Sequence, residues 1–133
     1  MLVKDVNRIP QFVERLQQQR RRALATAGAF LEGEIKQTIQ RGRPEWAPLK
    51  PATVRRKRSS KPLIDTGKLL SSITHQVSED EVRVGVFGEY AVVAAVHEFG
   101  APTRNIPQRA YMRPTFDENK DRIFKLIAEI LQS

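Results

Sequence analysis

The dipeptide His97-Glu98 contains the residue types that begin a zinc-protease motif. In that motif a second histidine follows four residues after the first, so that both imidazoles reach one metal ion from the same side of a helix. Position 101 is alanine, and the other histidine, His75, falls in a predicted strand. We therefore expect no metal ligands here, and we interpret His97 as a polar side chain at a helix end.

The acidic residues and serines show no arrangement that catalysis requires. The acidic run at 79–81 is typical of a solvated turn, and Asp117, Glu118 and Asp121 suit the N-terminal end of the last helix because of its dipole. The serines lie outside a nucleophile-elbow context, and GVFG at 85–88 lacks the Lys-Ser/Thr pair of a phosphate-binding loop. Since the chain has no cysteine, thiol chemistry is excluded too. The sequence therefore predicts a protein that is not an enzyme and holds no cofactor.

The positive charge of the chain is concentrated between Arg41 and Lys61. This stretch has eight basic residues against Glu45 alone, so it carries +7 of a total net charge of +8. Four prolines between positions 44 and 62 break any long helix. We predict a mobile basic arm at about 42–62 that becomes ordered on an acidic partner. Its expected interface residues are Arg41, Arg43, Trp46, Lys50, Arg55, Arg56, Lys57, Arg58 and Lys61.

Two kinds of partner remain open for the basic arm. A protein with an acidic surface is one of them. The other is nucleic acid, bound without sequence preference, in which the basic residues would neutralise phosphates and Trp46 would stack on bases. The sequence contains no helix-turn-helix, zinc-finger or RNA-binding signature, which argues against sequence-specific binding. A merely solvated loop is the third alternative.

The N-terminal third of the chain is predicted to form one long helix. Apolar residues recur three and four positions apart from Phe12 to Ile39, which predicts a helix over 9–39 that ends before Gly42 and Pro44. About 30 residues at roughly 1.5 Å each make a rod of about 45 Å, longer than a small domain covers by itself. We therefore expect the N-terminal half of this helix to pack against a neighbouring subunit, and the protein to be a homo-oligomer.

The other predicted elements complete an α+β fold. The chain has 133 residues, enough for one domain, so we predict a single domain over 1–133. A short helix follows Gly67, with Asp65 or Thr66 as its cap, and alternating valines predict an antiparallel hairpin around the turn at 78–80. The apolar stretch at 90–99 predicts a buried middle helix, although a strand stays possible. A short strand is predicted at 110–113, and an amphipathic C-terminal helix from Pro114.

The order of several short motifs resembles the virion-morphogenesis, tail-completion and minor-tail (neck) proteins of tailed phages. The motifs are WAPL at 46–49, LIDTGKLLSSI at 63–73, Tyr90-Ala91, HEFG at 97–100 and IPQRAYMRP at 106–114. The resemblance covers about residues 10 to 131. Ala110 departs from the family pattern, which has a second proline there, and the residues 92–96 lengthen the spacing after Tyr-Ala. The motif residues are Leu63, Thr66, Gly67, Leu69, Tyr90, Ala91, Glu98, Phe99, Gly100, Pro107, Arg109 and Tyr111.

The resemblance implies a structural subunit that completes the tail or neck so that head and tail join. It implies a ring of identical subunits, for which we expect a hexamer, and contacts with connector, head-completion, tail-tube or terminator proteins. We expect the protein in the virion, and in the host cytoplasm during assembly, without a membrane partner. No motif separates tail completion from head completion. The motif residues also have a physical interpretation as architecture, in which Gly100 adopts a positive φ and Arg109 pairs with Glu98.

Replacing Arg55, Arg56, Lys57 and Arg58 together by serine tests the basic arm. If the partner is a protein, the variant folds but head–tail joining is blocked. If the partner is DNA, the variant loses a steeply salt-dependent affinity for any duplex, because each phosphate contact releases counterions. Particle assembly and DNA binding are measured on this one variant. Unchanged behaviour in both assays would show that the arm is a solvated loop.

Overall fold

The computed structural model describes residues 8–51, 53, 55, 63 and 67–132. These residues confirm the α+β fold, with four α-helices and one antiparallel hairpin. The elements are α1 (Ile9–Arg41), α2 (Lys68–Ser72), β1 (Thr74–Val77), β2 (Val82–Gly85), α3 (Ala91–Phe99) and α4 (Arg113–Gln132), with a 3-10 turn at Pro102–Arg104 before α4. No helix within these ranges is long and apolar enough to cross a membrane.

Helix α1 forms as the apolar spacing predicts. Pro10 lies in its first turn, where a missing N–H costs nothing, and Gly42 ends it at φ 76° with its N–H donating to the Thr38 carbonyl at 2.8 Å. Its 33 residues make a rod of about 50 Å. The buried positions begin only at Ala23, while Leu16 is still 47% exposed.

Helix α4 packs antiparallel along the C-terminal part of α1. The hydroxyl oxygens of Thr38 and Thr115 lie 2.8 Å apart, and eight positions earlier in α1 the Arg122 guanidinium lies 5.1 Å from the centre of the Phe30 ring. By this register α4 ends at about position 20 of α1. The turn of the hairpin reaches the same level, where Arg20 pairs with Asp80 at 3.5 Å. About three turns of α1, from residue 9 to 18, therefore project beyond the other described elements.

The hairpin lies against α1 at Gly28. Strands β1 and β2 pair from Thr74 with Gly85 to Val77 with Val82, which confirms the predicted hairpin. A Cβ built on Gly28 would come within 2.6 Å of Val82 and 2.9 Å of His75, so only glycine permits this approach. The His75 imidazole lies 3.0 Å from a Glu32 carboxylate oxygen, and this hydrogen bond lowers the pKa of Glu32.

The core joins elements that are far apart in sequence. Trp46 is part of it: the residue is 7% exposed, and its indole Nε1–H donates to the Ala110 carbonyl at 2.9 Å. The first residues of the predicted basic arm thus pack against the fold. Residues 52, 54 and 56–62 lie outside the described ranges, so the mobility of the arm stays a prediction. The buried core residues are Ile35, Ile39, Trp46, Leu63, Leu69, Ile73, Ala94 and Tyr111.

Two of the predicted elements differ in the structure. The helix at 90–99 forms, but it is buried on one face only: Ala94 and Glu98 are buried, whereas Val92 and Phe99 are each 72% exposed. The strand predicted at 110–113 is wrong. Residues 110–112 form neither strand nor helix, and Arg113 already belongs to α4, because the N–H groups of this stretch donate to a carboxylate instead of a neighbouring strand.

Replacing Gly28 by alanine should destabilise the fold, because the new methyl group overlaps Val82 and His75. We expect a loss of about 1–3 kcal/mol in the free energy of unfolding, measured by urea denaturation. Gly33 lies in the same helix with nothing within 4 Å of a built Cβ. Gly33→Ala is therefore the matched control, expected to gain up to about 1 kcal/mol. Equal effects of both substitutions would contradict the close packing of the hairpin on α1.

Candidate protein-interaction site

The buried carboxylate of Glu98 caps the N-terminus of α4. Its Oε1 accepts the backbone N–H groups of Tyr111 and Met112, both at 2.9 Å, and its Oε2 accepts that of Arg113 at 3.1 Å. The first N–H groups of a helix have no partner within it, and they carry a partial positive charge. Since α4 has no acidic residue in its first turn, Glu98 of α3 supplies the anion. The sequence assigned this role to Asp117 and its neighbours, which lie too far along the helix.

The side chain of Tyr111, two residues before α4, also links α4 to α3. It is fully buried, and its hydroxyl donates to the Ala94 carbonyl of α3 at 2.9 Å. Burial raises the pKa of this phenol, with the nearby Glu98 carboxylate acting in the same direction, so the hydroxyl stays a donor. Together with the carboxylate cap, this bond fixes the angle between α3 and α4.

The predicted pairing of Arg109 with Glu98 is wrong. The three amides described above occupy the Glu98 carboxylate, and Arg109 turns the other way, donating from Nε to the Ala47 carbonyl at 2.8 Å. Gly100 makes the intervening loop possible: at φ 77° it confirms the expected positive φ, and a Cβ there would lie 2.9 Å from the Gln108 backbone nitrogen. The loop thus ties the segment after α1 to the end of α3.

An apolar cleft opens where α1, β2, α3 and α4 meet. Its volume is about 690 Å³, and its walls are almost entirely aliphatic and aromatic. Four phenylalanines at its edge leave a third or more of their surface in solvent; they are Phe87, Phe99, Phe116 and Phe124. Glu98 and Arg113 are the charged residues that line it, and the Glu98 carboxylate is already satisfied by backbone amides. Such a surface can bind an apolar partner, and it offers no general acid or base.

The sequence did not identify any of these four edge phenylalanines as exposed. Phe116 and Phe124 fall in the predicted amphipathic C-terminal helix, Phe99 falls in the predicted buried middle helix, and Phe87 was not singled out. One signal was present: the apolar face of α4 runs from Phe116 to Leu131 over two adjoining stripes. One of these stripes packs on α1, and the other, with Phe124, forms the wall of the cleft.

The structure separates the predicted basic-arm residues into different environments. Arg43 hydrogen-bonds to Glu118 at 2.6 Å and to Glu45, and these bonds raise its pKa while they lower those of both carboxylates. Trp46 is buried in the core, so its face is not available for stacking. The exposed members are Arg41, Lys50 and Arg55, and those outside the described residues are Arg56, Lys57, Arg58 and Lys61.

The motif residues are brought together around α3 and its two ends. Leu63, Leu69 and Tyr111 are in the core, with Tyr90 packed against it. Gly67 begins α2 at φ 79°, and Thr66 lies outside the described residues. Those that line the apolar cleft include Ala91, Glu98 and Phe99, and those that line a second groove beside it include Phe99, Gly100, Pro107 and Arg109.

The chain belongs to the phage virion morphogenesis family, whose statistical model matches residues 3–132. It is 29% identical over 128 residues to the Mu-like prophage FluMu G protein 2 of Haemophilus influenzae, covering 90% of this chain and 86% of that protein. It is also 31% identical over 112 residues to an uncharacterized protein of Methanocaldococcus jannaschii, covering 77% of this chain and 82% of that one. No solved structure shows a significant match.

The family and the prophage relative support a role in phage structure or assembly, as the resemblance implied. Within the described ranges, no three His, Asp or Glu side chains are grouped as metal ligands would be.

Replacing Glu98 by glutamine should weaken the joint between α3 and α4. The amide keeps one acceptor oxygen but loses the charge and the acceptor for the Arg113 N–H, so we expect a loss of about 1–3 kcal/mol in unfolding free energy. Glu98→Ala should lose more, because three N–H groups are left without an acceptor. Urea denaturation followed by circular dichroism measures both.

Glu118→Gln is the matched control on α4 itself. It removes an exposed carboxylate that pairs with Arg43, and exposed ion pairs contribute little. A loss for Glu118→Gln as large as that for Glu98→Gln would contradict the capping role.

Proposed function

We propose that this protein is a structural, non-catalytic subunit of a phage or prophage particle, acting at the head–tail junction as a tail-completion or neck protein. It works through protein–protein contacts and assembles with copies of itself into a ring. The apolar cleft is the observation that carries the proposal. The cleft is lined almost entirely by aliphatic and aromatic side chains, and an apolar groove of this kind is a surface on which a partner protein can dock.

A second copy of the chain is the occupant that we propose for the cleft. The projecting part of α1 carries Ile9, Phe12, Val13 and Leu16 at spacings of three and four, a stripe that nothing in the described residues covers fully. An amphipathic helix in an apolar groove is a common mode of protein recognition.

The stripe cannot fill the cleft of its own subunit. The residue of α1 nearest to the projecting end that lines the cleft is Ala27, eleven residues from Leu16 and so about 16 Å away along one continuous helix. The contact therefore joins two different surfaces of neighbouring subunits. Such head-to-tail contacts generate closed rings when the rotation between subunits divides a full turn, and filaments when it does not.

Two single substitutions test this contact. Leu16→Glu places a charge on the stripe, and Phe124→Glu places one at the edge of the cleft; both positions are largely exposed, so folding should persist. Wild-type protein should form oligomers with rising concentration, whereas each variant alone should stay monomeric. Each variant lacks one half of the contact, so self-association should weaken by at least about tenfold. Light scattering coupled to size exclusion gives the masses.

Mixing the two variants is the decisive measurement. The intact cleft of Leu16→Glu can accept the intact stripe of Phe124→Glu, so an equimolar mixture should form dimers and nothing larger. Gln18→Glu adds the same charge on the opposite face of α1, about 200° around the helix, and should assemble like wild type. A wild-type chain that stays monomeric at all concentrations, or a mixture that stays monomeric, would rule out this contact.

Nonspecific DNA contact is the second candidate function. The +7 charge of the stretch from Arg41 to Lys61 favours it. The engagement of Arg43 with two carboxylates and the burial of Trp46 reduce the groups that nucleic acid could use. For these reasons we rank protein contacts first, and the serine substitutions in the basic arm separate the two.

A further inference from the structure

Arg109 is a buried cation whose charge has no counter-ion within the described chain. The residue is 7% exposed, and its one hydrogen bond to a described residue runs from Nε to the Ala47 carbonyl. No described carboxylate lies within ion-pair distance, since Glu98 is occupied by backbone amides. Burying a charge without a partner of opposite sign is costly, so proteins that do so usually complete the pair by other means.

A groove runs past Arg109, between the segment after α1 and the loop that follows α3. Its volume is about 920 Å³, and it is separate from the apolar cleft except that both touch Phe99. Its walls include Pro48, Leu49 and Ile106, and Lys50 is its second cation. None of the described residues that line the groove is acidic. The polar side chains of Thr53, Asn105 and Gln108 also line it, so the groove combines two cations with walls that are partly apolar and partly polar.

We propose that this groove binds an extended acidic segment of a partner protein, with one aspartate or glutamate carboxylate pairing with the terminal nitrogens of Arg109. The planar guanidinium forms two parallel hydrogen bonds to a carboxylate, and it does so most strongly where water is excluded. The apolar walls fit a hydrophobic residue next to the acidic one, and Phe99, 72% exposed at the edge, offers an aromatic contact.

The walls favour a protein over nucleic acid. A phosphodiester backbone brings charges at regular intervals, and it is bound by surfaces with many exposed cations. This groove has one buried and one exposed cation among proline, aliphatic and uncharged polar side chains, which suits a single carboxylate in a peptide better than a run of phosphates.

Nuclear magnetic resonance of the Arg109 Nε–H group tests the inference on the full chain. The probes are the capped dipeptide acetyl-Phe-Glu-amide, its neutral counterpart acetyl-Phe-Gln-amide, and dimethyl phosphate, which carries the single charge of a phosphodiester. The Glu peptide should shift the resonance in a saturable way, and the Gln peptide should bind about tenfold more weakly or worse. Equal binding of both peptides, or no shift with either, would overturn the proposal, and a tighter response to dimethyl phosphate would replace it with nucleic-acid binding.

Variants locate the binding to this groove. Arg109→Lys keeps the charge but not the two-pronged geometry and should lose most of the affinity. In this variant the backbone amide resonances of the groove residues report binding, and the fluorescence of the buried Trp46 reports whether the fold is intact. If that variant does not fold, Lys50→Gln, at an exposed position of the groove, takes its place as the test. It should weaken binding of the Glu peptide several-fold. Arg104→Gln removes an exposed arginine of the same loop outside the groove and should change nothing. Loss of binding in Arg104→Gln equal to that in Lys50→Gln would overturn the assignment.

Because the groove and the stripe of α1 are different surfaces, this titration can succeed where the oligomerisation proposed above fails, and the reverse also holds.

Discussion

A single carboxylate decides how the C-terminal half of this protein is arranged. Glu98 leaves the end of α3 and accepts three successive amides at the start of α4, so the direction of α4 depends on a side chain from another helix. That direction in turn sets how α4 lies along α1 and how wide the cleft between α3 and α4 stands open. The hydroxyl of Tyr111 adds a second bond between the same helices, so the joint has two attachments and little freedom to rotate.

Much of the fold could be predicted because periodicity reports directly on local structure. The spacing of apolar residues in α1 and the alternating valines of the hairpin each specify one element and its buried face. The failures all involve partners distant in sequence. Residues 110–113 resemble a strand by composition, and nothing local indicates that a carboxylate thirteen to fifteen residues earlier accepts their N–H groups. Likewise, opposite charge suggested that Arg109 pairs with Glu98, but backbone amides compete successfully for the carboxylate.

The candidate sites were less accessible from sequence for a related reason. An apolar pattern shows that a face avoids water, but it does not show whether the same chain covers that face. Phe99 and Phe124 therefore appeared as core residues, and only the folded arrangement leaves them at the surface. The basic arm shows the converse. Its charge was evident from composition, but two of its first residues are engaged within the fold. Trp46 is packed in the core, and Arg43 pairs with Glu118.

Helix α1 has no joint between its buried and its projecting parts. All 33 residues belong to one helix whose hydrogen bonds run unbroken past the level where α4 and the hairpin end. A straight helix is far stiffer in bending than a loop, so any molecule that grips the projecting turns is held at a set distance and angle from the core. The geometry of an assembly built on this helix is then dictated by helical rise, about 1.5 Å per residue, and an added or deleted turn would alter its dimensions in steps of about 5.4 Å.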